Sequence, residues 1–413
     1  MAKTSIRALS KTLSQMSQRH ASSISSQTRL GMLRQVTKLI RDLAEPADLM
    51  AMHRESMLEL VTIRSLISMN VFRSLPDQGS ISSQDLSKSV GAEESLISRL
   101  LRMAVASQLI NQLPDKTFTH TKYSRGYAAE LGNGVAFKVL YDESFMPLSR
   151  LHLWLKEKGL KEPNRQETSP ALWLDGSEGK LFFDMLQQDP VRLADFQKCM
   201  RVVGDYSLPP SQYYDFGALM DESDRPVLVD IGGGQGQTLV DVLSKCPHIP
   251  PDRVVLQDLP AVVATAKRSS LLPADTPIMD YNYNTLQPVQ GAKAYLMRRI
   301  LHSWSDEFCV KILKTNIIPA MAPDSVLLIS DYIVPDPVSP DDIGPVSSAL
   351  AMMALAGKER TLEDFHRVLG EAGLKVTGVF KPADEHFGVV EAKLRDAAED
   401  GAPAASATLR AKL

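Results

Sequence analysis

Apolar stretches with strand character alternate with helical segments from Arg225 almost to the end of this chain. The stretches are "PVLVDIG", "RVVLQDL", "TPIMDY", "AYLMRRIL" and "SVLLISDYIV", and helical segments such as "GQTLVDVLSKC" separate them. Strands separated by helices form a parallel sheet that is covered on both faces. The last two strands, "LKVTGVF" and "HFGVVEA", are joined only by "KPADE", which is too short for a crossover helix, so we expect them to pair antiparallel. The sequence predicts an open α/β sheet with an antiparallel strand near one edge and ligands at the carboxyl ends of its strands.

The rest of the chain is helical in pattern. Between Glu55 and Glu130 the sequence predicts one continuous helix over "ESMLELVTIRSLISMNVFRSL", followed by a Ser-capped, Gly-terminated short helix in "SSQDLSKSVGA". A further helix then precedes a small hairpin, "NQLPDKTFTHT", which completes the arrangement of a winged helix. Glu93 and Glu94 balance Arg99 and Arg102 on its second long helix, so we expect packing or dimerisation there and no nucleic-acid partner. We predict a basic helical segment at 1–54, the winged-helix domain at 55–130, a helical region covering the pocket at 131–220, the α/β domain at 221–394 and a disordered, Ala-rich tail at 395–413.

Composition excludes several classes of protein. The formal charge of −3 gives no electrostatic reason to expect nucleic acid. Three scattered cysteines without a CxxC pair indicate a reducing compartment and argue against a structural zinc site. The chain lacks an apolar run of the roughly 18 residues that a membrane span needs, so we expect no membrane partner. HExxH, GxSxG and GxxxxGK[ST] are also missing.

The N-terminus leaves two interpretations open. Its first 41 residues contain eight Lys or Arg, eight Ser and no acidic residue, which is typical of a mitochondrial transit peptide. The alternative is a basic helix that packs on a partner subunit, because "LGMLRQVTKLIRDLA" already has helical apolar spacing. We favour the helix and a cytoplasmic protein.

A glycine-rich turn, "VDIGGGQGQT", follows the first strand of the α/β region. The glycines allow close approach of a ligand, and the helix N-terminus beyond them favours a carboxylate or phosphate. Asp230 at the strand end would repel a diphosphate but attract an ammonium group. Asp258, expected to be an exposed acid at the next strand end, is placed for ribose hydroxyls. An amino acid joined to a ribose describes S-adenosylmethionine.

The chain from Glu55 to Leu394 resembles the plant- and fungal-type small-molecule O-methyltransferases, which are cation-independent and use S-adenosylmethionine. The resemblance rests on "LVDIGGGQG", "LQDLPAVV", "QPVQGAKAYLMRRILHSWSDEFCVKIL", "SDYIVP" and "GKERTLEDF". It implies a Rossmann-like class I methyltransferase sheet, an N-terminal winged-helix dimerisation domain and an intertwined homodimer. The cofactor-binding residues that we expect, counting those around the glycine turn and "LQDLP", are Asp230, Gly232, Gly233, Gly234, Asp258, Leu259, Asp280, Tyr281 and Arg298.

The same resemblance makes His302 the catalytic base, flanked by Asp331 and Glu359. A neutral imidazole, with a pKa of about 6.5, can take the proton of a phenol while the methyl group is transferred. A carboxylate on the other ring nitrogen would orient the imidazole. No metal ion is expected. Two departures are Ser303, where members usually carry Asp or Asn, and Asp331, where plant members usually carry Glu.

The acceptor is expected to be a small hydroxylated molecule of aromatic or polyketide type. Candidate pocket residues are Phe196, Met200, Met352, Met353 and His152. Core packing is a strong alternative for the first four, and an ordinary helix position is the favoured alternative for His152. Two alternative functions remain. The winged helix could serve a DNA-binding regulator, although its balanced charge argues against this. A minority of the family also uses the bound cofactor to promote dehydration or pericyclic ring closure. The Arg298–Arg299 pair and Ser303 keep that alternative open.

Overall fold

The computed structural model describes residues 26–130, 132–204, 208–383 and 385–395. The chain divides into two compact units, Met1–Lys138 and Val139–Leu413. The transit-peptide interpretation falls mainly on residues 1–25, and the predicted tail on 396–413, both outside the described residues. None of the helices in the described part is long and apolar enough to cross a membrane.

The first unit consists of helices around a two-stranded hairpin. Its elements are α1 (Ser26–Leu43), α2 (Pro46–Ser68), α3 (Val71–Ser74), α4 (Ser83–Val90), α5 (Glu94–Ala106), β1 (Ile110–Gln112), β2 (Phe118–His120) and α6 (Lys122–Ala128). The Ser82 side chain caps α4 by accepting from the Asp85 amide, and Gly91 ends it in the left-handed conformation, as the sequence indicated. The continuous helix expected from Glu55 to Leu75 was wrong, because Asn70 adopts a φ of 60° and interrupts it.

A helical stretch leads into the second unit and precedes the sheet. It comprises α7 (Asn133–Leu140), a π-turn (Tyr141–Phe145), α8 (Met146–Ser149), α9 (Leu151–Lys158), α10 (Pro170–Asp175), α11 (Phe182–Gln187) and α12 (Pro190–Gly204). Arg192 on α12 joins three of these elements, because its guanidinium pairs with Glu143 at 2.7 Å and with Asp175 at 2.8 Å.

The second unit contains a mixed sheet. Its strands are β3 (Leu228–Ile231), β4 (Val254–Asp258), β5 (Ile278–Asp280), β6 (Ala294–Arg298), β7 (Val326–Val334), β8 (Arg360–Thr361), β9 (Leu374–Phe380) and β10 (Phe387–Leu394). Their order is β5-β4-β3-β6-β7-β10-β9, with β8 on the end of β7. β10 pairs antiparallel with β7 and β9, whereas β3 to β7 are mutually parallel, so the predicted α/β sheet with an antiparallel strand near one edge is confirmed. The two-residue strand β8 was not predicted.

Helices cover both faces of this sheet. They are α13 (Gln237–Lys245), α14 (Pro260–Ser269), α15 (Asp306–Ile312), α16 (Ile343–Met352) and α17 (Leu362–Ala372). Alternate residues of one strand enter opposite cores: Val229 packs in one apolar cluster and Leu228 in the other. Burial on both faces explains why the strands read as continuous apolar runs.

Candidate active site

The glycine turn after β3 is closed on one side and open on the other. Gly232, Gly234 and Gly236 have φ values of 69°, 63° and 92°, which L side chains rarely adopt. A Cβ on Gly232 would lie 2.5 Å from Ile300, and one on Gly236 would lie 2.6 Å from Leu272. A Cβ on Gly234 would meet only Gln237, at 3.8 Å. The turn therefore leaves space beside Gly234, just before α13 begins.

Asp258 is bound to this turn rather than exposed, which corrects the expectation from sequence. One carboxylate oxygen accepts from the Gly234 amide at 2.8 Å, and the other accepts from the Leu259 amide at 2.7 Å. Burial raises the pKa of Asp258 to about 6, although the two amide donors lower it. Asp258 thus fixes the glycine turn while its remaining lone pairs stay available.

Asp230 lies directly beneath the turn. It is 1% exposed, and neither of its carboxylate oxygens has a hydrogen-bond partner among the described residues. A Cβ on Gly233 would approach one of those oxygens to 2.4 Å. Burial raises the pKa of Asp230 to about 7, while Arg298 opposes the shift. A buried carboxyl group without a partner is unfavourable, so it needs a ligand or a bound proton.

The other residues expected to bind the cofactor follow the neighbouring strands. Asp258 and Asp280 are paired at the ends of β4 and β5, and Asp280 is exposed. Tyr281 is buried and donates its hydroxyl to the Thr285 carbonyl at 2.9 Å. Arg298 ends β6, with its Nη1 3.5 Å from the Thr238 hydroxyl. Because these parallel strands end at one edge of the sheet, the structure brings the predicted residues to a common edge.

His302 lies in a 3₁₀ turn, Leu301–Ser303, just after β6. Its Nδ1 is 2.9 Å from Oε1 of Glu359, and that oxygen also accepts the Ser348 hydroxyl at 2.8 Å. A carboxylate only accepts, so Nδ1 carries the proton and the lone pair of the neutral ring is on Nε2. Burial lowers the pKa of His302, but the charges of Glu359 and Asp331 outweigh burial and raise it overall.

The two acids beside His302 have different surroundings. Burial tends to raise the pKa of Glu359, yet His302 and Ser348 lower it overall, so Glu359 is the ionised partner. Asp331 is 2% exposed, and neither carboxylate oxygen has a hydrogen-bond partner in the part of the chain that is described. Burial raises the pKa of Asp331 to about 7. Asp331 therefore acts on His302 through its field, whereas Glu359 contacts the ring.

Two arginines lie near this group; the sequence suggested Arg299 only in connection with the ring-closure alternative and gave Arg360 no role. Arg299 has a φ of 57°, lies 4.9 Å from the ring centroid of Phe387, and lowers the pKa of His302 by its charge. A non-glycine residue with positive φ is uncommon and often marks a functional position. Arg360 is 1% exposed and follows Glu359 directly. In the sequence, only the doubled arginine in "MRRIL" and the arginine inside "GKERT" could have pointed to Arg299 and Arg360.

The structure gives less support to a common location for the candidate pocket residues than for the residues around His302. Phe196 packs edge-on against Phe182 and Phe183, with centroids 5.6 and 5.8 Å away, as a core residue would. Met200 is 42% exposed, and His152 is exposed on α9. Met352 and Met353 lie at the end of α16, half-buried. Across the described residues, no hydrogen bond or ion pair joins His152 to the His302 group.

Comparison with known proteins identifies the family. The O-methyltransferase domain family matches residues 182–375, and the O-methyltransferase dimerisation domain family matches residues 49–130. Methyltransferase cfoD of Aspergillus candidus is 31% identical over 357 residues, which cover 82% of this chain and 86% of the relative. The chain belongs to the O-methyltransferase family. O-methyltransferase kntB of Aspergillus niger is 32% identical, over 85% of this chain and 84% of the relative.

Solved structures share the fold of this O-methyltransferase. OxaC in complex with sinefungin and meleagrin superimposes with a TM-score of 0.85 at 23% identity, covering 95% of this chain and 99% of that chain. A pericyclic reaction enzyme superimposes with a TM-score of 0.81 at 23% identity, covering 95% of this chain and 100% of that chain. The protein is an enzyme that uses S-adenosylmethionine as its cofactor, so the cofactor prediction is confirmed.

The residues at the sheet edge fit that cofactor. Asp230 supplies an unpartnered buried carboxyl for an ammonium group, and the space beside Gly234 faces the start of α13, where a carboxylate is favoured. In the described residues, no group of three or more His, Cys, Asp or Glu side chains is arranged to hold a metal ion.

Proposed function

We propose that this O-methyltransferase methylates a hydroxyl group of a small aromatic or polyketide-type molecule, with His302 as the general base. The observation that supports this best is the 2.9 Å contact between His302 Nδ1 and Glu359. That contact selects the tautomer in which Nε2 can accept a proton. Aspergillus relatives named O-methyltransferases support the reaction class.

The cofactor supplies a methyl group on a positively charged sulfur. Asp230 would bind its ammonium group and the glycine turn, with Gly232, Gly233 and Gly234, would bind its carboxylate. Asp258 and Leu259 would bind the ribose, while Asp280, Tyr281 and Arg298 would surround the remaining part. These assignments rest on the shared edge of β3 to β6 and on the unpartnered oxygens of Asp230.

His302 would remove the acceptor's proton as the hydroxyl oxygen attacks the methyl carbon. The proton moves to Nε2, and the resulting imidazolium is stabilised by the ionised Glu359 on Nδ1. Asp331 adds negative potential without a hydrogen bond to the ring among the described residues. A phenol with a pKa of about 10 is mostly protonated near neutrality, which is why a base is needed.

The remaining assignments concern the acceptor and the assembly. Phe196, Met200, Met352, Met353 and His152 stay predicted pocket residues. The match of residues 49–130 to a dimerisation domain supports a homodimer. We also propose a cytoplasmic location, with no nucleic-acid, membrane or metal partner.

A second candidate is promotion of dehydration or pericyclic ring closure by the bound cofactor. The shared fold with a pericyclic reaction enzyme and the position of Arg299 beside His302 favour it. The oriented His302–Glu359 pair favours methyl transfer, because a proton acceptor is what that reaction requires.

One experiment separates the two functions. The enzyme is incubated with trideuteromethyl S-adenosylmethionine and a panel of phenolic polyketides, and the masses of the products are measured by mass spectrometry. Methyl transfer gives a product with one labelled methyl and an equal amount of S-adenosylhomocysteine. Turnover with intact cofactor and a product whose mass is unchanged, or lower by one water, would replace the proposal with the second candidate function.

A further inference from the structure

Arg360 is a fully buried arginine that donates hydrogen bonds to the backbone of the turn that carries His302. Its Nη1 donates to the Leu301 carbonyl and its Nη2 to the Trp304 carbonyl, each at 2.9 Å. Its Nε donates to Asp306 at 2.9 Å, and Nη1 also reaches the Lys358 carbonyl at 3.2 Å. The guanidinium thereby holds the backbone on both sides of His302.

The residues before Arg360 contact the same turn. The Lys358 amide donates to the His302 carbonyl at 2.7 Å. A Cβ on Gly357 would lie 2.3 Å from that carbonyl oxygen, so only glycine allows this approach. Glu359 supplies the carboxylate that contacts the His302 ring. The segment 357–360 therefore fixes both the backbone and the imidazole of the catalytic turn.

The neighbouring side chains of Glu359 and Arg360 contact different groups of this turn. Glu359 points to the imidazole, while Arg360 points to the carbonyls of Leu301 and Trp304. A shift of the turn by about 1 Å would break a 2.9 Å hydrogen bond such as that to Nδ1, and misplacement of this size can lower a rate about 100-fold. A buried guanidinium is expensive to desolvate, and ordinary packing would not need so many directed donors.

We propose that Arg360 is a positioning residue that holds the backbone of Leu301–Trp304 in place relative to Glu359, so that Nδ1 of His302 stays hydrogen-bonded to the Glu359 carboxylate. This inference rests on the proposed role of His302 as the base. The charged groups that face His302 are Glu359, Asp331 and Arg299. Arg360 makes no hydrogen bond to the His302 ring among the described residues, so it acts through the backbone of the turn, and its charge also lowers the pKa of Asp331.

The test compares Arg360→Lys with Arg367→Met. Arg367 also pairs with Asp306, at 2.5 Å, but donates to none of the carbonyls of the turn, which makes it a matched control. Histidine is labelled with ¹³C at Cε1, the His302 signal is assigned by its loss in His302→Gln, and its pKa is followed by NMR without any acceptor. Arg360→Lys should lower the pKa of His302 by about 1 unit, because the Glu359 contact weakens, while Arg367→Met should leave it unchanged.

Kinetics and calorimetry complete the test. With an acceptor from the phenolic panel, Arg360→Lys should lower kcat by roughly 10- to 100-fold and leave the Kd for S-adenosylmethionine unchanged. An Arg360→Lys protein with a wild-type His302 pKa and wild-type kcat would overturn the inference. If Arg360→Lys does not fold, Asp306→Asn decides: a lowered His302 pKa supports the inference, and a wild-type value overturns it. A wild-type enzyme that transfers no methyl group would instead contradict the proposed function, since the NMR comparison does not depend on turnover.

Discussion

Nδ1 of His302 lies 2.9 Å from Oε1 of Glu359, whereas Asp331 makes no hydrogen bond to the ring among the described residues. Resemblance to the family gave both acids the same role, but the structure assigns contact to one and long-range charge to the other. Glu359 is therefore the acid that sets the tautomer of the base.

Glu359→Gln should lower kcat more than Asp331→Asn does. The glutamine removes the charge that stabilises the imidazolium, and we expect a loss of about 100-fold. Asparagine at 331 resembles a protonated aspartate, and burial raises the pKa of Asp331 to about 7, so a loss below about tenfold is expected. Steady-state rates of both variants, with circular dichroism to confirm folding, measure this. Equal losses would contradict the separate roles.

The activity should rise with pH through a value above 6.5. A general base acts when unprotonated, and the pKa of His302 is raised by Glu359 and Asp331 despite burial. The kcat/KM profile reports the free enzyme, so its acid limb should reflect this group. In Glu359→Gln the midpoint should move to lower pH, because the charge that favours the imidazolium is gone. A midpoint that does not move would show that the acid limb does not report the ionisation of His302.

Asp258→Ala should weaken S-adenosylmethionine binding by about 1.5–3 kcal/mol, through loss of charge-assisted hydrogen bonds. The variant also removes the acceptor of the Gly234 amide, so the glycine turn loosens. Calorimetric titration with S-adenosylmethionine measures the change. Asp252→Ala is the control, since Asp252 is exposed at the other end of β4. Unchanged affinity in Asp258→Ala would show that β4 does not bind the cofactor.

The full chain should be a homodimer. Large apolar side chains are exposed along α1 and α2, and they include Leu33, Leu43, Met50, Met57 and Leu58. These side chains lie next to and within residues 49–130, which match the dimerisation domain family. A partner subunit would cover exposed apolar surface of this extent. Light scattering should give twice the 45.5 kDa mass of one chain, and Leu58→Glu should increase the monomer fraction. A monomeric wild-type chain would contradict the assignment.

The sheet and the glycine turn were readable from sequence because their signals are local. Apolar runs, the short "KPADE" connection and alternating glycines each depend on neighbouring residues only. The break at Asn70 was missed, since helical periodicity continues across it and only its φ of 60° interrupts it. Strand β8 and the donors of Arg360 were missed because they depend on residues more than 20 positions away. The same holds for Asp258, whose partner Gly234 precedes it by 24 residues.

The central claim is that His302 accepts the acceptor's proton, and the rate of His302→Gln tests it most directly. Labelled methyl transfer to a neutral phenol should fall by roughly 10²–10⁴, while the melting temperature and the Kd for S-adenosylmethionine stay close to wild type. The loss should shrink for an acceptor whose hydroxyl is already ionised at the assay pH. A His302→Gln enzyme that methylates the neutral phenol at the wild-type rate would contradict the claim.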